Sequence, residues 1–375
     1  MCVQCTRRQF LGSSALGGMA IASAHMVTAA DAPSAASPPA GKVPICVAIA
    51  GQPADRSWAL SEAEVAAVTA RLAEAEKHLG NVTFVIGTAS TAAEMAQLLE
   101  QAGPDAPVLV VSADIFGPSR IMPTIFAAGR PVALFHQPVI GGHDWCLVNP
   151  WRAEGHRITL FNSSDLNDLE RAAALLRVIP LLRQSRVLIS PPFKGTPESM
   201  APDQVKARLG VELLAIADGR YDELLGSVDA AAVEAEAQQW LDGAAQIVEP
   251  EREDVVKAAR ASLALQQLVG EQHAHGLCVG TCMSWLPRGF PCLGFTRLND
   301  RGVPAACDGD ADCVLTMLMF QHALNQPGFL GNAAGVDTAR NAFHLARCSA
   351  PLHMEGPAGP AAPYLLRHPA EMRGG

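Results

Sequence analysis

The chain has 375 residues, of which 49% are hydrophobic and 17% charged, and its formal net charge is −9 at pH 7. This acidic balance excludes nucleic acid and anionic membranes as expected partners, because both are bound by basic protein faces. The composition instead favours a globular protein that acts on or binds a small molecule.

The N-terminus reads as an export signal. Arg7 and Arg8 begin the motif RRQFL, and an uncharged, mildly apolar run and several small residues follow, with Ala24 and Ala30 as candidate cleavage positions. This order is typical of a signal peptide, and paired arginines are an address for twin-arginine export. The apolar run is shorter than the ~20 residues that a membrane-spanning helix needs. We therefore predict a twin-arginine signal over residues 1–30, the export machinery as a partner, and a periplasmic or extracellular location.

A Pro/Ala/Ser-rich segment at residues 31–42 follows the signal and is predicted to be a disordered tether. About 330 residues remain, which is enough for two domains. We place the first α/β domain at residues 43–155 and the second at residues 156–375. No later segment is apolar and long enough to span a membrane.

Eight cysteines follow the signal. Because the twin-arginine route carries proteins that fold in the reducing cytoplasm, we predict mostly buried free thiols rather than disulfides. They are Cys46, Cys146, Cys278, Cys282, Cys292, Cys307, Cys313 and Cys348.

Apolar strands and amphipathic helices alternate through the first half of the folded region. Strands are predicted at residues 43–50, 82–86, 107–111 and 131–135, and helices at 61–79 (with Ser61 as N-cap), 92–101 and 121–128. Strict alternation of this kind predicts βαβ crossovers and a parallel sheet.

The alternation continues in the second half. Helices are predicted at residues 165–182, from 201, at 229–241, 251–271 and 311–324, and strands at 186–190, 211–216, 277–279, 292–298 and 303–307. The predicted fold class is therefore α/β, with two doubly wound parallel-sheet (Rossmann-like) domains and a sugar-isomerase-like segment at residues 291–367.

Two carboxylates mark the strongest candidate site. Asp308 and Asp310 flank Gly309 where a predicted strand enters a helix. Ligands of α/β sheets bind at the carboxyl ends of parallel strands, so these are candidate catalytic residues. The alternative interpretation is that they only shape the turn and cap the helix.

The motifs around this site resemble those of the L-fucose/L-arabinose isomerase-like family. Members carry NDxGxPxACEGD, a Thr-Met-rich helix, PxFxGD/N, AHCTAP and a loop ending in APYxLR. The corresponding segments here are NDRGVPAACDGD (299–310), Thr316-Met317, residues 327–332, ARCSAP (346–351) and APYLLR (362–367).

The resemblance implies aldose–ketose isomerisation of a small sugar. In that family a divalent metal, usually Mn²⁺, polarises the sugar oxygens while carboxylates move a proton through an enediol. It places Asp308 at a metal-ligand position and Asp310 beside it.

Several positions depart from the family pattern. Asp308 stands in place of a longer glutamate, Asn332 replaces a second carboxylate, and Arg347 replaces the histidine of the HC(T/S)AP motif. An amide cannot act as a base, and arginine cannot bind a metal. His368 is the nearest candidate for a further family histidine. The family continues with more β-structure, so the chain is interpreted as a short member.

Other residues are weaker candidates. Trp145 lies in a loop after a predicted strand and could stack on a sugar, and Lys194 follows another strand. Asn332, Arg347 and His368 complete the predicted substrate-binding set. A cluster of zinc-like residue types, His273, His275, Cys278 and Cys282, matches no standard spacing and favours a helix end followed by a buried strand.

Three hypotheses therefore stand. The first is an exported sugar-isomerase-like protein with altered metal ligands. The second is a non-catalytic periplasmic carbohydrate-binding protein on the same scaffold. The third is a partner-binding protein whose exposed apolar edge is covered in a homo-oligomer.

Overall fold

A computed structural model describes residues 42–55, 58–138, 144–190, 194–280 and 289–368, so the predicted signal peptide and almost all of the tether lie outside the described residues.

The first sheet is built from five parallel strands. The strand order is β2-β1-β3-β4-β5. The strands are β1 (Val43–Ala50), β2 (Val82–Ala89), β3 (Val108–Ser112), β4 (Val132–His136) and β5 (Ile158–Asn162).

Helices cover both faces of this sheet. They are α1 (Glu62–Leu79), α2 (Ala92–Ala102), α3 (Gly117–Ala127), α4 (Val148–Ala153) and α5 (Asn167–Gln184), with a 3₁₀ helix at Asp144–Leu147. Alternate residues of β1 point into two cores, Ile45 and Val47 toward α1 and α5, and Cys46 and Ala48 toward α2 and α3. Burial on both faces explains why β1 is a continuous apolar run.

The second sheet has four parallel strands in the order β10-β9-β6-β7. They are β6 (Arg186–Ser190), β7 (Glu212–Ala215), β9 (Gly276–Val279) and β10 (Ala305–Ala306). The helices are α6 (Pro202–Leu209), α7 (Arg220–Ser227), α8 (Ala230–Gly243), α9 (Arg252–Glu271), α10 (Cys292–Asp300) and α11 (Ala311–Leu324). Helices α7 to α10 pack on one face, and α6 and α11 pack on the other.

Two small ladders lie outside these sheets. An antiparallel hairpin joins β11 (Asn332–Asp337) to β12 (Ala342–Ala346). A parallel pair joins β8 (Gln246–Ile247) to β13 (Leu365–Leu366).

The α/β class with parallel sheets is confirmed. Apart from residues 292–298, the predicted strands and helices agree with observed ones within a few residues, but strands β5, β8 and β11 to β13 and helices α4 and α7 were not predicted. The predicted cap at Ser61 accepts the amide hydrogen of Glu64, and the Glu64 carboxylate accepts that of Ser61. Strand β5, which follows residue 155, pairs with the first sheet. Both sheets belong to one compact unit, and their division into two domains stays a prediction.

One predicted strand is wrong. Residues 292–298 form the first part of helix α10 instead. A short apolar run does not distinguish a strand from a buried helix, so packing decides. Gly294 allows close helix packing, since a Cβ there would lie 3.0 Å from the Cα of Ser262 in α9.

A buried arginine connects the two halves of this unit. Arg177 in α5 is 3% exposed, and its Nε donates to the carbonyl of His322 at the end of α11 over 2.8 Å. Its Nη1 donates to the side-chain oxygen of Asn81, just before β2, over 2.7 Å. The oxygens that accept its hydrogen bonds are all neutral, and the carboxylate of Glu170 interacts with it only through its charge.

The cysteine prediction is borne out in part. Cys46, Cys146, Cys278 and Cys313 carry free thiols. Cys46, Cys278 and Cys307 are buried, whereas Cys146 and Cys348 are exposed. Cys282 lies outside the described residues. Among the described helices, none is long and apolar enough to cross a membrane.

Candidate functional site

The candidate site lies where the strand order of the second sheet reverses. Its chain runs outward from β6 to β7 on one side and from β9 to β10 on the other, so the neighbouring ends of β6 and β9 form a switch point. Two loops meet there. The amide of Lys194, after β6, donates to the carbonyl of Gly309 over 2.7 Å, and the amide of Gly309 donates to Val279 at the end of β9.

Asp308 occupies a left-handed backbone conformation in this loop. Its φ is 62°, and that of Gly309 is 65°. Non-glycine residues adopt this region infrequently and cluster at turns and functional sites when they do. The Asp308 side chain is 34% exposed, so its carboxylate is accessible from solvent.

Arg347 forms an ion pair with this carboxylate. Its Nη2 lies 2.8 Å from Oδ2 of Asp308, and its Nη1 donates to Oδ1 of Asn332 over 3.0 Å. The Arg347 side chain is only 7% exposed. Three predicted site residues are therefore brought together, with the guanidinium between the carboxylate and the amide.

The charges shift each other's protonation. Burial alone would raise the pKa of Asp308, but the hydrogen bond and charge of Arg347, with help from Lys194, hold this pKa below its ordinary value. Burial would lower the pKa of Arg347, but the hydrogen bond that it donates to Asp308, together with its interactions with Cys307, more than offsets burial and raises the pKa. The pair therefore stays ionised at neutral pH.

Asp310 has a structural partner. Its Oδ1 accepts the amide hydrogen of Cys313 over 2.9 Å, which makes it the N-cap of α11. Helix capping was the alternative interpretation of Asp310 from the sequence, and it directs the carboxylate to the helix end. The catalytic role of Asp310 stays a prediction.

The remaining predicted residues lie apart in the contacts described. His368 pairs through Nε2 with Asp254 at 3.3 Å, because the C-terminal segment follows β13 beside β8. Trp145 is 42% exposed in the 3₁₀ helix that follows β4. Within the described residues, no hydrogen bond or ion pair joins either of them to Asp308.

Sequence reasoning missed Asp312. The amide and hydroxyl of Thr196 donate to its carboxylate over 2.7 and 2.9 Å, which fixes the loop after β6 to the start of α11. This contact positions Lys194 beside Asp308. The only signal in the sequence is an acidic residue in the first turn of the helix, which usually means a favourable dipole interaction.

A small cavity adjoins Arg347. It is lined by Asn299, Cys307, Phe329 and Pro351, among others, and its volume is near that of one water molecule. This cavity is therefore too small to hold a sugar.

The first sheet has a second polar cluster at its own switch point, between β1 and β3. The Asp114 carboxylate accepts the amide hydrogens of Gln52 and Phe116 over 3.1 and 2.9 Å, and Arg120 lies 3.3 Å from it. Asp114 is 5% exposed and Arg120 is 44% exposed. Trp58 and Phe116 are each 53% exposed beside it. The sequence reading singled out none of these residues.

His136 at the end of β4 is buried, and its Nδ1 lies 3.4 Å from the hydroxyl of Ser112. Burial lowers the pKa of His136, so the ring is neutral at pH 7.

The donor set does not fit a divalent metal of the predicted kind. Mn²⁺ prefers several carboxylate or imidazole ligands. The Asp308 carboxylate is contacted by the Arg347 guanidinium and, at 3.7 Å, by the thiol of Cys307, and the Asn332 amide oxygen accepts from the same guanidinium. Among the described residues, no group of three histidine, cysteine or acidic side chains could hold a metal ion.

The zinc-like cluster of His273, His275 and Cys278 lies at a helix end followed by a buried strand, as the sequence favoured. Helix α9 ends at Glu271, and β9 begins at Gly276. Burial raises the pKa of Cys278 to about 12, which disfavours the thiolate that zinc needs.

In comparisons with known proteins, no family model and no curated protein matches the chain. The resemblance to sugar isomerases therefore stays a prediction based on its motifs.

Proposed function

We propose that this chain is a carbohydrate-binding protein on a sugar-isomerase-like scaffold, and that it binds a small sugar at Asp308 without a metal. The observation that carries the proposal is the ion pair of Arg347 with Asp308 at 2.8 Å, in which a fixed cation stands beside the carboxylate. The export motif at Arg7 and Arg8 supports a periplasmic or extracellular location.

The chemistry of the site suits sugar hydroxyls. Asp308 is an ionised, partly exposed acceptor, and the exposed Lys194 beside it is a donor. A charged acceptor and donor side by side can bind neighbouring hydroxyl groups of one ring, and hydrogen bonds to charged groups contribute about 1.5–3 kcal/mol each.

Metal-dependent isomerisation is the second candidate, since the motif order from residue 299 to residue 367 favours it. A cation entering this site would meet Arg347 and one carboxylate. The repulsion in a partly buried setting weighs against it by several kcal/mol.

One calorimetric experiment separates the two candidates. The full chain is titrated with L-fucose, L-arabinose and Mn²⁺, alongside the variants Asp308→Asn and Asp310→Asn. We expect sugar binding that weakens at least tenfold in Asp308→Asn and is unchanged in Asp310→Asn, because asparagine also caps helices.

The outcomes are distinct. Binding of neither sugar by the wild-type chain would overturn the proposal. Near-stoichiometric Mn²⁺ that is lost in Asp308→Asn would replace it with the isomerase interpretation.

A further inference from the structure

The hairpin formed by β11 and β12 stands out from the rest of the fold. Its two strands pair with each other, and no other described strand pairs with either of them. Most of its side chains are exposed, including Val336 at 70% and Phe343 at 60%. A two-stranded hairpin is at best marginally stable in water, so its position depends on the contacts at its base.

The chain is anchored on both sides of the hairpin. Before it, Leu330 packs against the core of the second sheet. After it, the hydroxyl of Thr296 in α10 donates to the carbonyl of Ala350 over 3.0 Å. Gly331 therefore lies at one hinge position, and residues 348 and 349 lie at the other.

The hairpin makes its charged contact with the second sheet at its base, where the two strands begin and end. Asn332 is the first residue of β11 and Arg347 follows the last residue of β12, and these two side chains are bonded to each other. Arg347 also reaches Asp308. The charged residues of the hairpin tip, Asp337 and Arg340, pair with each other at 3.7 Å instead.

We propose that this hairpin is a hinged latch, held closed by Arg347 on Asp308. In the closed state the guanidinium occupies the carboxylate that a polyhydroxylated ligand would use. The ligand enters when the hairpin swings away and Arg347 leaves Asp308. The choice of ligand rests on the proposed function above, whereas the latch itself does not.

The latch predicts an unusual direction for one substitution. If Arg347 bound the ligand directly, its removal would weaken binding. A latch instead lowers the apparent affinity by the fraction of molecules that are open, so its removal strengthens binding. Loss of one partly buried ion pair shifts such an equilibrium by about tenfold.

Hydrogen exchange followed by mass spectrometry tests the latch without any ligand. In the full chain, Arg347→Gln is expected to speed exchange of the amides of residues 333–346 about tenfold, with the amides of β6 and β9 unchanged. Arg340→Gln is the matched control, because it removes the same charge from the same hairpin without touching Asp308. Equal hairpin exchange in both variants would overturn the latch.

A double-mutant cycle guards against general unfolding. Asp308→Ala should also release the hairpin, and adding Arg347→Gln to it should have a smaller effect than Arg347→Gln alone, because only the bonds of Arg347 outside the ion pair, such as that to Asn332, then remain to be lost. Additive effects would show that the pair is not what holds the hairpin.

Titration with L-fucose and L-arabinose then separates the two proposals. Tighter binding by Arg347→Gln supports both, and weaker binding overturns the displacement of Arg347. Faster hairpin exchange without any sugar binding would leave the latch standing and overturn the proposed function.

Discussion

The two parallel sheets each carry an aspartate–arginine pair at the switch point, and the two pairs are built in opposite ways. In the first sheet the carboxylate of Asp114 is 5% exposed and its arginine, Arg120, is 44% exposed. In the second the carboxylate of Asp308 is 34% exposed and Arg347 is 7% exposed. A buried carboxylate with an outer arginine braces the loops around it. A buried arginine with an outer carboxylate leaves an acceptor at the surface, which becomes available to a ligand once the arginine is displaced.

The sources of the partners differ as well. Asp114 also accepts two backbone amide hydrogens, and Arg120 comes from the helix that directly follows. Arg347 comes from a hairpin that lies beyond the whole of α11. Local, backbone-based contacts persist when one side chain moves, whereas a single long-range ion pair can open as a unit.

The largest expected effect is on stability at the first sheet. Asp114→Ala should lower the free energy of unfolding by about 3 kcal/mol, because it leaves buried amide groups without acceptors. Urea denaturation measures it, with Arg120→Ala as the control at no more than about 1 kcal/mol. If both variants lose the same amount, Asp114 is not the brace inferred from its burial.

A smaller effect is expected at the cap of α11. Asp310→Ala should lower the free energy of unfolding by about 1 kcal/mol, and Asp310→Asn by much less, since asparagine also accepts the Cys313 amide hydrogen. Thermal and urea unfolding of the two variants measure the difference. A loss of sugar binding in Asp310→Asn with unchanged stability would instead give Asp310 a role in the site.

The smallest effect in free energy is on the titration of Asp308. Arg347 holds the pKa of Asp308 below 3.8 although burial would raise it. Arg347→Gln should therefore raise this pKa, which carboxyl carbon chemical shifts measure. A carboxyl group whose pKa is lower in the folded state stabilises the fold at pH values above its unfolded-state pKa. The extra free energy of unfolding of the wild type over Arg347→Gln should therefore fade as the pH falls through the folded-state pKa. Asp114 should shift less in Arg120→Gln, because the Gln52 and Phe116 amides still hold it. Equal shifts in the two variants would remove the distinction between the pairs.

The sequence predicted most strands and helices of the two sheets, but not β5, α4, α7 or the β11–β12 hairpin. Alternating apolar runs and caps such as Ser61 identify strands and helices because each depends on neighbouring residues. Residues 292–298 failed because the run is short and the packing of Gly294 on α9, which is distant in sequence, decides its form.

The site was predicted only in part. Motif order selected Asp308, Asn332 and Arg347, but their mutual contact depends on how a hairpin folds back onto a strand end. The same motif order selected His368. The C-terminal segment lies beside β8, however, and there His368 pairs with Asp254. The Asp114 cluster joins residues that are 62 positions apart in sequence, and no local pattern marks such a pairing.

The buried guanidinium of Arg177 has a consequence for how the chain acquires its structure. Its acceptor on His322 lies 145 residues further along the chain. During synthesis the first sheet can assemble early, but this cation has its full set of acceptors only after α11 has left the ribosome. Contacts of such long sequence separation form slowly, because a large loop must close before they contribute. Completion of the fold is therefore a late, whole-chain event, and a ribosome-bound chain ending before residue 311 should hold α5 less firmly than the finished protein.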